Sequence, residues 1–376
     1  MQWDIFCTVI DNYGDAGVCW RLARQLALEH QQKVRLIIDH LPTLEALVAQ
    51  TIIPNTVLDK VLITHWDESV LYTGAEVVVE SFACNLPEPY LAGMAAMQPS
   101  PLWINLEYLT AEDWVEGCHN LNSRHPQLGL DKVFFFPGFT SKTGGVLREQ
   151  DLLNKRDEWQ QSTSAALSTV FPEVRSDDYD VVLSLFAYPS APIASLLKSL
   201  SSAKQSVLCL VPACRIVPQI EQLLGQGTLV PLQCYSLGNL TVQVLPFMSQ
   251  AVYDQVLWHC DLNFVRGEDS WVRAQWAARP LIWQAYPQSD SAHEDKLAAF
   301  MQHYGAHADP HWWAAIERLW WAWNKTEPNP FDDSTWLNDL PQWQQHAKQW
   351  CDQLSQQTDL ATQLMCRAKQ HCMRFS

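Results

Sequence analysis

Two groups of residues in this chain have the types and spacing to do chemistry. The first is Asp11-Asn12-Tyr13-Gly14-Asp15-Ala16-Gly17, which places carboxylates at i and i+4 with a glycine between them and Ala16-Gly17 after them. Paired carboxylates can grip a planar cation or take a proton, and they repel phosphate. Gly14 and Gly17 allow close backbone approach, yet the Gly-x-Gly-x-x-Gly spacing that cradles a dinucleotide pyrophosphate is missing. The segment follows an apolar run and precedes a helical pattern, and ligands of open α/β sheets bind beyond the carboxyl ends of such strands. Two readings fit the turn equally: a functional carboxylate pair, or Asp15 capping the helix while Asp11 fixes the turn.

The second group is Asn263-Phe264-Val265-Arg266-Gly267-Glu268-Asp269-Ser270, again a strand running into a helix start. Free N–H groups and the dipole make helix N-termini anion sites, so Arg266 with the amides of Asp269 and Ser270 can hold a diphosphate, and Glu268 can accept from sugar hydroxyls. An ordinary cap by Asp269 and Ser270 is the competing account. Phe186, Tyr188, Phe247 and Tyr286 stand at predicted strand ends, where rings stack on a nucleobase or line a sugar pocket, although a single aromatic more often packs a core. Gln250, just before a helix, can read a base edge or sit on the surface.

Other patterns carry less. Asp178-Tyr179-Asp180 has the Asp-x-Asp form of metal-dependent sugar transfer, but it opens a strand, the wrong end of a sheet, and fits a solvated turn. His303, His307 and His311 repeat every four residues, with Gly305 and Pro310 interrupting the helix that would align them on a metal. Trp313, Ile316, Trp320 and Trp323 form a helical stripe suited to packing. Neither a Gly-x-Ser-x-Gly elbow nor a Gly-x-x-x-x-Gly-Lys phosphate loop occurs.

The elements that must position these groups alternate. Trp3–Ile10 reads as strand, Ala16–His30 as helix and Lys33–Asp39 as strand, with further strands at Lys60–Thr64, Ala75–Glu80, Leu102–Leu106 and Val133–Pro137. A polar stretch between Leu147 and Asp178 marks a boundary. Beyond it strands Tyr179–Phe186, Ser206–Val211, Leu240–Leu245, Asp261–Val265 and Leu281–Tyr286 alternate with helices Ala191–Leu200, Val217–Leu224, Ala251–His259 and Asp269–Ala278. This alternation predicts two doubly wound lobes, 1–165 and 178–345; the remainder reads as helices only and ends in a helical tail, 346–376, which can pack back on the first lobe.

Composition narrows the classes. At 376 residues the chain exceeds one ordinary core, and 48% hydrophobic with 18% charged residues is globular. No apolar run is long enough to span a bilayer, and the start lacks a signal-peptide pattern, so a soluble cytoplasmic protein is expected. The 11 scattered cysteines never form Cys-x-x-Cys, which suits reduced thiols and speaks against a zinc site. A net charge of −16 disfavours nucleic acid and suits a basic partner.

The stretch from Asp11 through Val18-Cys-Trp-Arg-Leu-Ala-Arg-Gln-Leu-Ala27, together with Asp261-Leu-Asn-Phe-Val-Arg-Gly-Glu-Asp-Ser-Trp-Val-Arg-Ala-Gln-Trp276, closely resembles the EarP family of elongation factor P arginine rhamnosyltransferases. Trp103-Ile-Asn-Leu-Glu-Tyr-Leu109, Phe136-Pro-Gly-Phe-Thr140 and Tyr286-Pro-Gln288 extend the resemblance to about residue 290. It implies a GT-B fold of two facing Rossmann-like lobes. It also implies inverting, metal-independent transfer of rhamnose from dTDP-β-L-rhamnose to one arginine of translation elongation factor P, which activates that factor for rescue of stalled translation. The first lobe is then the acceptor side and the second the nucleotide-sugar side. The family's functional carboxylates fall on Asp11, Asp15 and Glu268. Donor contacts are expected at Tyr188, Phe247, Gln250, Arg266, Asp269, Ser270 and Tyr286, with Asn12, Tyr13, Gly14, Phe186 and Gly267 beside them. No cofactor is expected besides the donor substrate. Without the resemblance, another nucleotide-sugar transferase or epimerase, or a non-catalytic two-lobed binding protein, fits the same pattern.

Overall fold

The computed structural model describes all residues except 11–12, 68–69, 163–165, 288–290, 325–330, 332 and 374–376. The chain divides into two compact units, Met1–Gln150 with Ser355–Ser376, and Asp151–Leu354.

The first unit is built on strands β1 (Gln2–Cys7), β2 (Lys33–Ile38), β3 (Thr56–Leu58), β4 (Val61–His65), β5 (Val77–Ser81), β6 (Leu102–Leu106), β7 (Asn122–Arg124) and β8 (Asp131–Phe135). They form one sheet in the order β3-β4-β2-β1-β5-β6-β8-β7, parallel except at the two edges. Helices cover both faces, so β1, β5 and β6 are buried almost throughout and mostly apolar. One face packs Ile5, Val79 and Ile104 under helix Gly14–Leu28 and the C-terminal helix Leu360–Cys372, whose Leu364 and Met365 enter the same core. The other packs Phe6, Val78 and Trp103 under Tyr90 and Met94 of helix Glu88–Ala96. The edge strands β3 and β7 are three residues long and mostly exposed, which blunts the sheet against further pairing.

The C-terminal helix is tied down by polar contacts at its start. Asp359 caps it through the Thr362 amide (3.1 Å) and also accepts from the Gln25 side chain (3.1 Å), while Arg148 donates to the carbonyls of Ser355 and Gln357. Gly145 makes this approach feasible. Its φ is +74°, and a Cβ there would sit 2.2 Å from the Thr358 carbonyl oxygen.

The second unit has strands β9 (Val181–Leu185), β10 (Val207–Pro212), β11 (Cys234–Leu237), β12 (Leu240–Leu245), β13 (Leu262–Arg266) and β14 (Leu281–Gln284), in the order β11-β12-β10-β9-β13-β14. All pairs are parallel except the β11–β12 hairpin. Helix Leu152–Gln161 belongs here because Arg156 donates to the Trp276 carbonyl (3.0 Å) and Gln160 to those of Trp258 and Ala277 (3.0 Å each). Helix Leu340–Ser355 is held likewise, Trp350 donating to the Gln275 side chain (3.0 Å) and Gln344 to the Ala278 carbonyl (2.7 Å). The stripe on helix Pro310–Asn324 is packing: Ile316, Trp320 and Trp323 are buried, and Trp323 lies on Phe264 with ring centroids 4.7 Å apart.

Candidate active site

Each sheet has one place where the chain reverses its direction of strand addition, and the described residues of both sequence-predicted groups follow strands that border it. In the first sheet, β2 and β4 are added on one side of β1, and β5, β6 and β8 on the other. The crevice at such a switch point lies past the carboxyl ends of the two central strands, here β1 and β5. Asp15, in the first turn of helix Gly14–Leu28, is placed there and is only 2% exposed. Its Oδ2 accepts from the Ile10 amide (2.8 Å) and its Oδ1 from the Tyr108 hydroxyl (3.1 Å). The N-cap of this helix is Tyr13, with no side-chain cap bond. The Asp15 carboxylate closes the β1 loop and reaches across to the β6 loop. Tyr13 and Gly14 are partly buried beside it, whereas Asp11 and Asn12 lie outside the described residues.

The motif 103–109 supplies the opposite wall. Asn105, buried at the end of β6, accepts from the Ala83 amide (3.2 Å), and Phe82 donates its own amide to the Leu106 carbonyl (2.7 Å). Phe82 and Ala83 take left-handed φ values of 57° and 54°, which turns the Phe82 ring onto Tyr108, with centroids 4.2 Å apart and planes at 11°. Neither residue stands out in the sequence. Tyr108 was within reach of sequence reasoning, since it follows a strand inside the shared motif.

In the second sheet the switch falls between β9 and β13, with β10 and β12 to one side and β14 to the other. Phe186 and Tyr188, after β9, flank the guanidinium of Arg266, the last residue of β13, each ring centroid 4.4 Å from its Cζ. Arg266 is 7% exposed, and its Nη1 is buried with no hydrogen-bond partner. A buried cation left with an unmet donor costs free energy. Gly267 turns the chain at φ +59°, its carbonyl accepting from the Trp283 indole (2.8 Å). Tyr188 is fixed through its amide to the Gln284 side chain (2.7 Å) and edge-on to Tyr286, centroids 5.4 Å apart.

The rest of this group is partly engaged within the protein. Ser270 closes the turn, its hydroxyl accepting from the Arg266 amide (3.2 Å) and donating to the Arg266 carbonyl. Gln250 donates to the Asp269 carboxylate (3.0 Å), joining the first turns of helices Gln250–His259 and Asp269–Trp276. The N-cap of the latter is Glu268, half-buried and without a side-chain cap bond. Phe247 and Tyr286 are 45% and 47% exposed at the same edge. Behind them, Arg273 and Asp254 form a buried bidentate pair (3.0 and 2.8 Å). Asp180 stands at the other end of the strands, just before β9, holding the Ser206 amide and hydroxyl (2.8 Å each), which keeps its carboxyl below the usual range. Among the described residues, no three His, Cys, Asp or Glu side chains gather as metal ligands, and no helix is long and apolar enough to cross a membrane.

The family model described as Elongation-Factor P (EF-P) rhamnosyltransferase EarP matches residues 3–369. The chain belongs to the EarP family. A protein-arginine rhamnosyltransferase of Pseudomonas putida is 47% identical, with 96% of this chain and 97% of that one aligned. A relative of the same description from Shewanella oneidensis is 39% identical over 97% and 96%. The solved structure on the structural basis for EarP-mediated arginine glycosylation of translation elongation factor EF-P superposes with a TM-score of 0.70 at 35% identity, covering 98% of this chain and 99% of that one. The fold is accordingly that of GT-B glycosyltransferases. Anabaena HepE, in complex with UDP and glucose, shares the fold alone: TM-score 0.52, 11% identity, 99% and 100% covered.

Proposed function

We infer that this chain is a protein-arginine rhamnosyltransferase whose acceptor is one arginine of translation elongation factor P and whose donor is dTDP-β-L-rhamnose. The observation that carries this is full-length family membership, 47% identity to a protein of that activity across 96% of the chain. The local geometry supports the chemistry. An acceptor that is a translation factor sets the reaction in the cytoplasm.

A guanidinium is protonated far above neutral pH and is a poor nucleophile, so the enzyme must orient it and remove a proton as the new bond forms. In this reading Asp15 takes that proton and Asp11 helps hold the planar guanidinium fork. The guanidinium nitrogen bonds to the sugar C1 as the C1–O bond to the diphosphate breaks. The leaving electron pair goes to dTDP, and one displacement on the opposite face inverts the anomeric centre. Support for the second unit as donor site comes from Arg266, whose buried Nη1 lacks a partner beside a helix N-terminus, both suited to the growing diphosphate charge. These groups stabilise the leaving group in this mechanism without a metal. Glu268 positions the donor sugar, and the exposed rings of Phe247 and Tyr286 suit the nucleobase.

The test is the intact mass of elongation factor P after incubation with this protein and dTDP-rhamnose. One deoxyhexose increment, localised to an arginine, is expected. No increment with both proteins folded overturns the reading. Stronger thermal stabilisation by UDP-glucose than by dTDP-rhamnose overturns the donor assignment alone.

A further inference from the structure

We propose that Tyr108 is a positioning residue for the transfer reaction, holding the Asp15 carboxylate in its reactive orientation through its hydroxyl. The inference rests on the reading of Asp15 as the base.

Three observations converge on Tyr108. Its hydroxyl donates to Asp15 Oδ1 at 3.1 Å, while the Ile10 amide holds Oδ2 at 2.8 Å. The two donors come from different strand ends and hold one carboxylate oxygen each. The Tyr108 ring is itself clamped by stacking on Phe82, 4.2 Å away and nearly parallel. Phe82 is set by a left-handed backbone (φ 57°) and by the hydrogen bond its amide donates to the Leu106 carbonyl. A left-handed backbone at a phenylalanine is unfavourable, and the β5 loop retains it in a form that backs the Tyr108 ring.

The chemistry calls for such a device. A carboxylate that takes a proton from a forming C–N bond must present one lone pair to a small arc, and misplacement by about 1 Å can cost about a hundredfold in rate. Asp15 is almost wholly buried, so water does not replace a lost orienting bond on every side. Tyr108 does not take the proton. It gives a hydrogen bond and keeps its own.

The experiment uses the full chain with Tyr108→Phe, Asp15→Asn and the double variant. Tyr108→Phe keeps the ring on Phe82 and removes only the hydroxyl. Expected is a fall in kcat of roughly 10- to 100-fold, with the Kd for dTDP and the KM for elongation factor P within about twofold of wild type, the split of a group acting only as the reaction proceeds. In the Asp15→Asn background the same change should have no further effect on kcat. Phe82→Leu, which retains the hydroxyl but loosens the ring, should give a smaller fall of the same kind and serves as the second variant if Tyr108→Phe unfolds. The failures are separable. An Asp15→Asn protein that turns over normally overturns the base reading. An inactive Asp15→Asn with unimpaired Tyr108→Phe and Phe82→Leu overturns the positioning role alone. So does a Tyr108→Phe whose loss is entirely in KM, or one whose loss adds fully to that of Asp15→Asn.

Discussion

Arg266 is where donor binding can be weighed against structure most sharply. The perturbation is Arg266→Met, which leaves an unbranched apolar chain between Phe186 and Tyr188 and removes the charge. The guanidinium sits 4.4 Å from each ring centroid, and desolvated cation–π contacts contribute about 1–2 kcal/mol. Against that, the partnerless Nη1 costs about 1–3 kcal/mol in the unliganded protein. The two nearly cancel, so the stability of the free protein should change by no more than about 1 kcal/mol. In the dTDP complex the unmet donor gains a diphosphate oxygen. A charge-assisted hydrogen bond there contributes about 1.5–3 kcal/mol, or roughly 10- to 100-fold in Kd. Arg266→Lys, which keeps the charge but loses the planar fork, should fall between wild type and Arg266→Met. Titration calorimetry with dTDP and urea unfolding of the free variants read the two quantities separately. A Kd within threefold of wild type, accompanied by a large loss of stability, would show that Arg266 is a strut between two rings and refute its role as a phosphate ligand.

Three further outcomes test the frame around the sites. Arg273→Met strands the Asp254 carboxylate in the interior and should cost about 3–5 kcal/mol in urea unfolding, most of it recovered by Arg273→Met/Asp254→Leu; a double variant less stable than the single one contradicts this. Gly145→Ala forces the 355–359 segment off the first unit, because its Cβ overlaps the Thr358 carbonyl. Faster proteolysis near that segment and a loss of more than about 1 kcal/mol are expected, and an unchanged cleavage rate would refute the close approach. Burial holds His119, His259 and His346 below their ordinary value of 6.5. The unfolded chain therefore binds these protons more readily than the folded one. Stability contributed by the three is complete above that value and is lost as pH falls through it toward the lower folded values. The urea midpoint of His346→Gln should fall less steeply than that of wild type below pH 6.5; parallel slopes would remove His346 from the account.

Much of the architecture is legible in the chain because strands buried on both faces must be apolar runs. Val181–Leu185, Val207–Pro212 and Leu262–Arg266 have this character, and the helices between them show a periodic apolar face. The edge pieces β3, β7 and β11 escape the same reasoning. They are three or four residues long, partly exposed, and defined by an antiparallel partner rather than by their own pattern. Helices Leu41–Val48 and Glu88–Ala96 go unnoticed because each is about two turns long with proline in its first turn. The polar stretch from Leu147 to Asp178 marks a neighbourhood for the boundary. The division at Gln150 follows from the carbonyls that Arg156 and Gln160 find on the second unit, a matter of tertiary partners.

The sequence by itself determined that a carboxylate follows the first strand, that an arginine and a helix start follow β13, and that both belong to a recognisable family pattern. Such features are local, set by residues a few positions apart. Which side chains surround them was decided only by the fold. Parallel strands joined through helices bring β5 beside β1 and β13 beside β9, so Phe82 and Tyr108 reach Asp15, and Phe186 and Tyr188 enclose Arg266. Periodicity along a chain specifies which face of a strand is buried. It does not specify which strand becomes the neighbour, because that choice is made by the packing of crossover helices, and it is the neighbour that sets the chemistry of these carboxylate and guanidinium groups.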